Sequence, residues 1–405
     1  MLHVLLLLPH SSYKADAFLT ACARAGVGLT VGTDHVPVLR HARHCTLTLS
    51  FLDTASDAEQ IKSYARRHAI DAVVAADGMA VPLAAVACAS LGLSYNSPAS
   101  VQLASDKCLT RQAQANAGLP CPRFALLKDD TEKLPPAIGY PCVLKPLRLS
   151  ASRGVIRVDN HTDFNAARTR IASLLKTSKL KISNAGSEIL AESYLEGQEF
   201  SIDGLLTNGR LHCLTIFEKP DPLQGPFFEE SIFITPPRCS GEFCQKLINA
   251  VQDTVDALGL TQGPVHAELR ASAQAVTVLE IAPRPIGGLC SNAITVSGMP
   301  LEEVIIRHAL DADFLPAAQQ HEHRGVMMIP IPGAGILKSV SGLEPARRTQ
   351  HVLGVTLCIA LGEQLVPLPE GDRYLGFIFA AAPRFEQAEA ALRNAHAKLR
   401  FNIAG

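Results

Sequence analysis

The 405-residue sequence predicts an α/β and α+β protein of several domains: a parallel α/β domain, then a small mixed lobe, then a strand-rich region and a C-terminal extension. Three observations predict it. Residues 1–95 alternate strand-like and helix-like runs, the pattern of a parallel sheet covered by helices. Residues 143–158, VLKPLRLSASRGVIRV, read as a hairpin of two β-type runs around small residues. From Ser187 onward apolar runs of strand length dominate, and two of them each enclose a glutamate. At the ordinary scale of about 150 residues per domain, two or three domains are expected.

The elements follow in order. His3–Leu8, Leu29–Gly32 and Ala72–Ala75 are strands; Ala15–Ala25, Asp57–His68 and Val81–Leu91 are helices. Gly26, Gly28 and Gly32 lie between a helix and a strand, whereas a dinucleotide-binding fingerprint lies between a strand and a helix. Residues 94–122 read as a connector with one helix, capped at Ser105–Asp106 and stopped by Gly118. Glu188–Glu192, Glu199–Leu206 and Leu211–Phe217 are strands, and Glu242–Leu258 is a helix. The strand pair Val265–Leu269 and Val276–Ile281 comes next, then helices Leu301–Ala309 and Phe385–Leu399.

Composition narrows the function. Hydrophobic residues make up 47% and charged residues 19%, which suits domains with large cores. A net charge of −1 gives no general electrostatic reason to bind nucleic acid or an anionic membrane. With no tryptophan, base-stacking platforms are not expected. The eleven cysteines form no C-x-x-C pair, Cys239 and Cys244 being the closest. They read as reduced thiols of a cytoplasmic protein, and Cys290 as apolar filler. MLHVLLLLPH lacks a basic leader and a cleavage site and reads as a buried first strand. No apolar run reaches the roughly 20 residues of a membrane span.

Five stretches carry chemistry. In the hairpin, Lys145 ends the first strand, and the small residues Ser150 to Gly154 let backbone N–H groups approach a phosphate chain. Arg153 either joins them or faces solvent. A lysine before a turn, taken alone, is a surface lysine. In SDKCLTRQ, Lys107 opens a helix where anions are favoured, so a phosphate fits between Lys107 and Lys145; the plain alternative is helix-end decoration. In ILAESYLEGQEFSIDG, a connector carries Glu192, Glu196 and Glu199; its backbone suits an adenine edge and its acids ribose hydroxyls, or else it is a strand, a turn and a strand. In HAELRASAQAVTVLEIAPRPIGG, Glu268 and Glu280 sit in half-buried strands and must be paired or hold a cation. Two converging carboxylates with phosphate oxygens make a magnesium site. Arg284 beyond them can stabilise developing negative charge, and Gly287 and Gly288 open the backbone. DPLQGPFFEESIFITPP either lines an acceptor site, with Glu229 or Glu230 meeting an ammonium group, or is a surface loop. HEHR reads as a solvated loop, with metal ligation by His321 and His323 the weaker alternative. The absence of G-x-x-x-x-G-K-[ST] disfavours a P-loop kinase.

The order of a DK helix, a VLKP hairpin, an E-S-Y-L-E-G-x-E hinge and an E…E-I-x-P-R pair resembles the ATP-grasp superfamily. Within it, the sequence resembles carboxylate–amine ligases related to the L-amino acid ligases, the dipeptide synthetases. The resemblance covers nearly the whole chain. It implies a pre-ATP-grasp α/β domain over 1–95 and a connector over 96–122. A two-lobed ATP-grasp fold follows, with the small lobe over 123–185 and the large, metal-holding lobe over 186–315. A C-terminal subdomain over 316–405 would pack on the large lobe. It further implies that Lys107 and Lys145 hold ATP phosphates beneath a mobile lid, residues 150–155, through Ser150, Ser152 and Gly154. Glu192, with the backbone of Ser193, Tyr194 and Leu195, would bind adenine, and Glu199 the ribose. Glu268 and Glu280 would hold Mg2+, with Mn2+ able to substitute. Arg284 would face the acyl phosphate and the tetrahedral intermediate; the substrate residues expected beside it are Gly287, Gly288 and, from the loop reading, Glu229 or Glu230. Many members carry an asparagine two residues after the second metal glutamate; here that position is Ala282. The implied activity is ATP-dependent amide or peptide bond formation between small molecules, with an amino acid as one substrate. The alternatives are another carboxylate-activating ligase, using bicarbonate or a nucleotide-pathway amine, and a non-catalytic ATP-binding protein. A homodimer is the base-rate assembly.

Overall fold

The computed structural model describes residues 1–10, 12–35, 45–128, 131, 133–177, 188–316 and 322–405. The N-terminal domain runs β1 (His3–Leu7), α1 (Ala15–Ala25), β2 (Gly28–Thr33), β3 (Cys45–Thr48), α2 (Thr54–Ala65), β4 (Ala72–Ala75) and α3 (Val81–Leu91). Its four strands pair in parallel in the order β3-β2-β1-β4. Four of the five residues of β1 are buried, as a parallel strand covered on both faces requires. Strand β3 is a largely exposed edge strand, and the alternation of apolar and polar residues from Cys45 to Phe51, CTLTLSF, is the strand signal that marks it. Helix α2 starts earlier than its apolar pattern suggests, because Asp53 caps it by accepting from Ser56 N at 3.1 Å.

The connector holds two helices where one was expected: α4 (Pro98–Ser105) and α5 (Lys107–Asn116). Ser97 caps α4 and Asp106 caps α5, so a single non-helical residue separates them. The small lobe comprises β5 (Phe124–Leu127), β6 (Cys142–Pro146), β7 (Ile156–Val158), α6 (His161–Thr177) and β8 (Ile189–Ser193). Its sheet has the order β5-β8-β6-β7, and β6–β7 is the expected antiparallel hairpin.

The large lobe contains β9 (Gln198–Thr207), β10 (Arg210–Glu218), β11 (Ile232–Thr235), α7 (Gly241–Leu258), β12 (Gly263–Ala271), β13 (Val276–Ala282), β14 (Thr295–Val296), β15 (Met299–Pro300) and α8 (Leu301–Leu310). The remainder is β16 (His323–Ile329), β17 (Gly335–Ser341), α9 (Leu343–Arg347), β18 (Val352–Leu357), β19 (Gln364–Leu365), β20 (Gly376–Ala382), α10 (Phe385–His396) and β21 (Arg400–Ala404). One eight-stranded sheet runs β13-β12-β9-β10-β11-β16-β20-β18. The C-terminal region therefore extends the large-lobe sheet through the antiparallel β11–β16 pair, beyond merely packing on it. One apolar core joins the N-terminal domain to this sheet: Val4, Leu6 and Phe18 share it with Phe217, Ile286, Val304 and Phe377. Among the described residues no helix is long and apolar enough to cross a membrane.

Candidate active site

The site is built where α5, the β6–β7 hairpin, β8 and the β12–β13 pair converge. Asp106 accepts from Cys108 N at 3.0 Å and Leu109 N at 3.2 Å, which fixes the start of α5 and sets Lys107 in its first turn. Lys107 Nζ donates to Leu149 O at 2.7 Å and lies 3.9 Å from Glu280 Oε2. Lys145, in β6, lies 2.6 Å from Glu192 Oε2. The two lysines thus flank the base of the hairpin.

The hairpin tip turns through left-handed backbone at Ala151, Ser152 and Gly154. Two of its backbone N–H groups are engaged: Gly154 N donates outside the hairpin to Pro369 O at 2.9 Å, and Val155 N within it to Ser152 O at 3.0 Å. Arg153, open between phosphate and solvent in the sequence, does neither. Its Nε donates to Glu370 O at 2.8 Å and its Nη1 lies 3.6 Å from Asp372. The tip is docked on the loop before β20, a contact 217 residues away in sequence.

Glu192 differs from the expectation that its carboxylate faces a nucleobase. It is buried and accepts from Arg111 Nε at 2.6 Å and from Lys145 at 2.6 Å. Burial alone would raise its pKa; Arg111 and Lys145 overcome that and hold it at about 2. The N–H groups of Ser193 and Tyr194 donate to Arg123 O and Pro141 O, and Leu195 O accepts from Arg270. Those groups of the hinge already have partners. Glu199 is different. It is buried, its carboxyl is pushed up by burial, and Oε2 has no hydrogen-bond partner. Arg270 Nη2 lies 3.8 Å from it, too far for a hydrogen bond, and a buried carboxylate oxygen without a hydrogen bond suits a hydroxyl donor, as ribose would supply.

Glu268 and Glu280 are direct partners across the antiparallel β12–β13 pair. Two like charges placed opposite one another are unfavourable without a cation. Each has an ammonium nearby, Lys219 at 3.6 Å from Glu268 and Lys107 at 3.9 Å from Glu280. An all-oxygen pair with room for water and phosphate oxygens fits magnesium. Among the described residues no group of three or more His, Cys, Asp and Glu gathers for a metal, so protein ligation would rest on this pair. Ala282 ends β13 and uses its carbonyl to accept from Arg284 N at 2.8 Å.

Lys219 was not singled out in the sequence. It closes β10 in a Lys-Pro step like that of Lys145 and Pro146, which was the available signal. It is buried, 2.6 Å from Glu230 and 3.6 Å from Glu268, and these carboxylates keep it charged against the cost of burial. One ammonium serves two acids here. Glu268 stays ionised against its burial, with help from Lys219 and His266, while burial pushes Glu230 up to about 7. Glu230 is therefore spent on Lys219 and is not free to meet a substrate ammonium. Glu229 is half-buried, raised by burial, and has no ion pair among the described residues. Behind Glu268, His266 Nε2 lies 3.6 Å away, and its Nδ1 pairs with buried Asp203 at 3.0 Å. Burial would lower this imidazole; the two acids raise it to about 9.

Arg284 is half-buried, donates to Pro285 O at 2.9 Å and pairs with no carboxylate among the described residues. It lies against Gly78 in the loop after β4. Gly287 is exposed; Gly288 is left-handed, and a Cβ there would meet Phe377 Cζ at 2.7 Å. Cys290 is buried with its thiol pushed up by burial, the filler expected. His323 contacts Pro236 O at 3.0 Å, away from these groups, and His321 lies outside the described residues. All eleven cysteines are free thiols, although Cys239 and Cys244 bring their sulfurs within 2.8 Å at the start of α7.

Two lobes clasping paired lysines, an unsatisfied carboxylate and a facing glutamate pair define a nucleotide-binding domain of the ATP-grasp class. Comparison with known proteins agrees. Residues 138–293 match the ATP-grasp domain, and residues 327–404 match the L-amino acid ligase C-terminal domain 2. The chain therefore contains an ATP-grasp domain, followed by a C-terminal domain of the L-amino acid ligase type. It is 26% identical over 266 residues to the alanine–anticapsin ligase of Bacillus amyloliquefaciens, covering 61% of this chain and 56% of that one. It is 24% identical to an uncharacterized protein of Sinorhizobium fredii, covering 78% and 65%. The chain thus spans between half and two thirds of the length of these relatives. The L-amino acid ligase of Bacillus licheniformis shares the fold with a TM-score of 0.82 at 24% identity, over 100% and 99% of the two chains. A carboxyaminoimidazole ribonucleotide synthase of Aspergillus clavatus, complexed with ATP, does so at 0.74 and 19%, over 98% and 99%.

Proposed function

We propose that this protein is an ADP-forming ligase that joins a carboxylate to an amine, with an amino acid as at least one substrate. The observation that carries the reading is the facing pair Glu268 and Glu280, with Lys107 3.9 Å from Glu280 and with Arg284, which pairs with no carboxylate among the described residues, two residues beyond the end of β13. The similarity to alanine–anticapsin ligase and the L-amino acid ligase C-terminal domain support an amino acid as the acid or the amine.

Lys107 and Lys145 neutralise the ATP phosphates, and Glu199 accepts from the ribose hydroxyls. Glu268 and Glu280 would hold Mg2+, or Mn2+ in its place, which would supply charge neutralisation at the phosphates. Positioning and charge neutralisation are the main needs of phosphoryl transfer. The substrate carboxylate attacks the γ-phosphorus, ADP leaves, and an acyl phosphate forms. The amine then attacks the acyl carbon, loses a proton and expels phosphate, leaving an amide. Arg284 donates to the oxyanion that develops at each step. Residues 150–154, seated against the loop at Pro369, keep water from the acyl phosphate. Glu229, which has no ion pair among the described residues, meets the substrate ammonium. Eleven free thiols suit a reducing compartment, and we place the protein in the cytoplasm.

The test is phosphate release from ATP and magnesium across amino acids offered singly and in pairs, with bicarbonate in the panel and mass analysis of products. A pair that drives release and yields a condensed product, lost in Glu280→Ala and Arg284→Ala, supports the proposal. Release driven by bicarbonate alone, or nucleotide binding without turnover on any pair, counts against it.

A further inference from the structure

Lys14 belongs to the N-terminal domain yet spends its side chain outside it. It sits at the N-cap position of α1 without capping the helix, and its side chain is buried. Its Nζ donates to the carbonyls of Pro285, at 3.3 Å, and of Ile286, residues 271 and 272 positions further along the chain. A buried ammonium is costly unless strongly compensated. Here burial lowers its pKa to about 8, with Asp77 opposing and Arg284 adding to the fall. An apolar side chain would fill this space at less cost. What the ammonium adds is a fixed hold on the peptide that directly follows Arg284.

The same peptide is held from the other side. Ile286 N donates to Asp203 Oδ1 at 3.0 Å, and Asp203 Oδ2 pairs with His266, which reaches Glu268 at 3.6 Å. The segment 284–288 is thus gripped at the Pro285 and Ile286 carbonyls by the N-terminal domain and at the Ile286 N–H by β9. The Asp203 grip is continuous with the proposed metal carboxylate.

We propose that Lys14 is a positioning residue for Arg284: it anchors the Pro285–Ile286 carbonyls so that the guanidinium is presented to the reacting centre. The part of this that concerns turnover rests on the ligase reading; the anchoring itself does not. Losing a hydrogen bond to a charged donor corresponds to roughly a ten- to hundredfold change in an equilibrium or rate.

The experiment compares Lys14→Met, Lys14→Arg and the exposed control Lys62→Met. Amide hydrogen exchange over Ile286–Gly288 is read first. Lys14→Met is expected to speed exchange there about tenfold or more while the remainder of the sheet stays protected, with Lys14→Arg between it and the parent. Turnover on the substrate pair found for the parent is read second. The value of kcat is expected to fall about ten- to hundredfold in Lys14→Met and to recover in part in Lys14→Arg, with nucleotide Kd within about twofold. Unchanged exchange at 286–288 in Lys14→Met overturns the proposal. So does faster exchange with unchanged kcat, or a general loss of protection and nucleotide binding in both variants, which marks a structural lysine. If the parent turns over no pair, the ligase reading fails and exchange alone decides the anchoring.

Discussion

Replacing Glu192 by alanine should be among the most damaging single changes in the chain. Its carboxylate is shared by Arg111 and Lys145, both at 2.6 Å, and Arg111 is only 1% exposed. Without Glu192, Arg111 keeps hydrogen bonds to Gln114 Oε1 at 2.8 Å and Leu279 O at 2.6 Å, but no counter-charge. Stranding one member of a buried ion pair costs about 3–5 kcal/mol. Glu192→Gln keeps the shape and one acceptor, so it should cost less, about 1.5–3 kcal/mol for the lost charge assistance. The double variant Arg111→Met, Glu192→Leu should be less destabilised than Glu192→Ala, because it removes the stranded charge. The assay is urea unfolding, with the slope checked for constancy so that midpoints convert to free energy. The reasoning is refuted if Glu192→Ala lies within about 1 kcal/mol of the parent, or if the double variant is the less stable.

Two further outcomes follow from the same geometry. Glu192 titrates near 2 when folded and near its ordinary 4.5 when unfolded, because Arg111 and Lys145 outweigh its burial. Its contribution, about 3 kcal/mol, is therefore whole above pH 4.5 and is lost as pH falls towards 2; between those values the parent's urea midpoint should fall more steeply than that of Glu192→Gln. Gly288→Ala should destabilise by about 2–4 kcal/mol and lower turnover, since φ is +57° and the new methyl meets Phe377, while Gly287→Ala, with open space around it, should be near neutral. Equal midpoints for these two variants would count against the packing argument.

Much of the architecture was legible because local rules govern it. Alternating apolar runs bounded by glycine turns gave α1, β4 and α3 at their observed ends. Strand β3 was missed although CTLTLSF alternates, since it is only four residues long and mostly exposed, and the break between α4 and α5 was missed because it is one residue wide. Glu268 and Glu280 were legible because a lone acid in an apolar strand demands a partner, and the antiparallel register does set them opposite each other.

The sequence by itself determined the order of the domains, the two lysines, the glutamate pair and the arginine beyond it, since each follows from residue type and near-neighbour pattern. Only the tertiary structure decided which charges are free. It committed Glu192 to Arg111, Glu230 to Lys219 and Arg153 to the loop at Glu370, and left Glu199 Oε2 with no hydrogen bond and only a long ion pair, 3.8 Å, to Arg270. It also brought Lys14 to Ile286 across 272 residues. The physical reason is range. Periodicity and turn chemistry act over a few residues and are written locally, whereas the partner of a buried charge is whatever packing brings within about 4 Å, from anywhere along the chain.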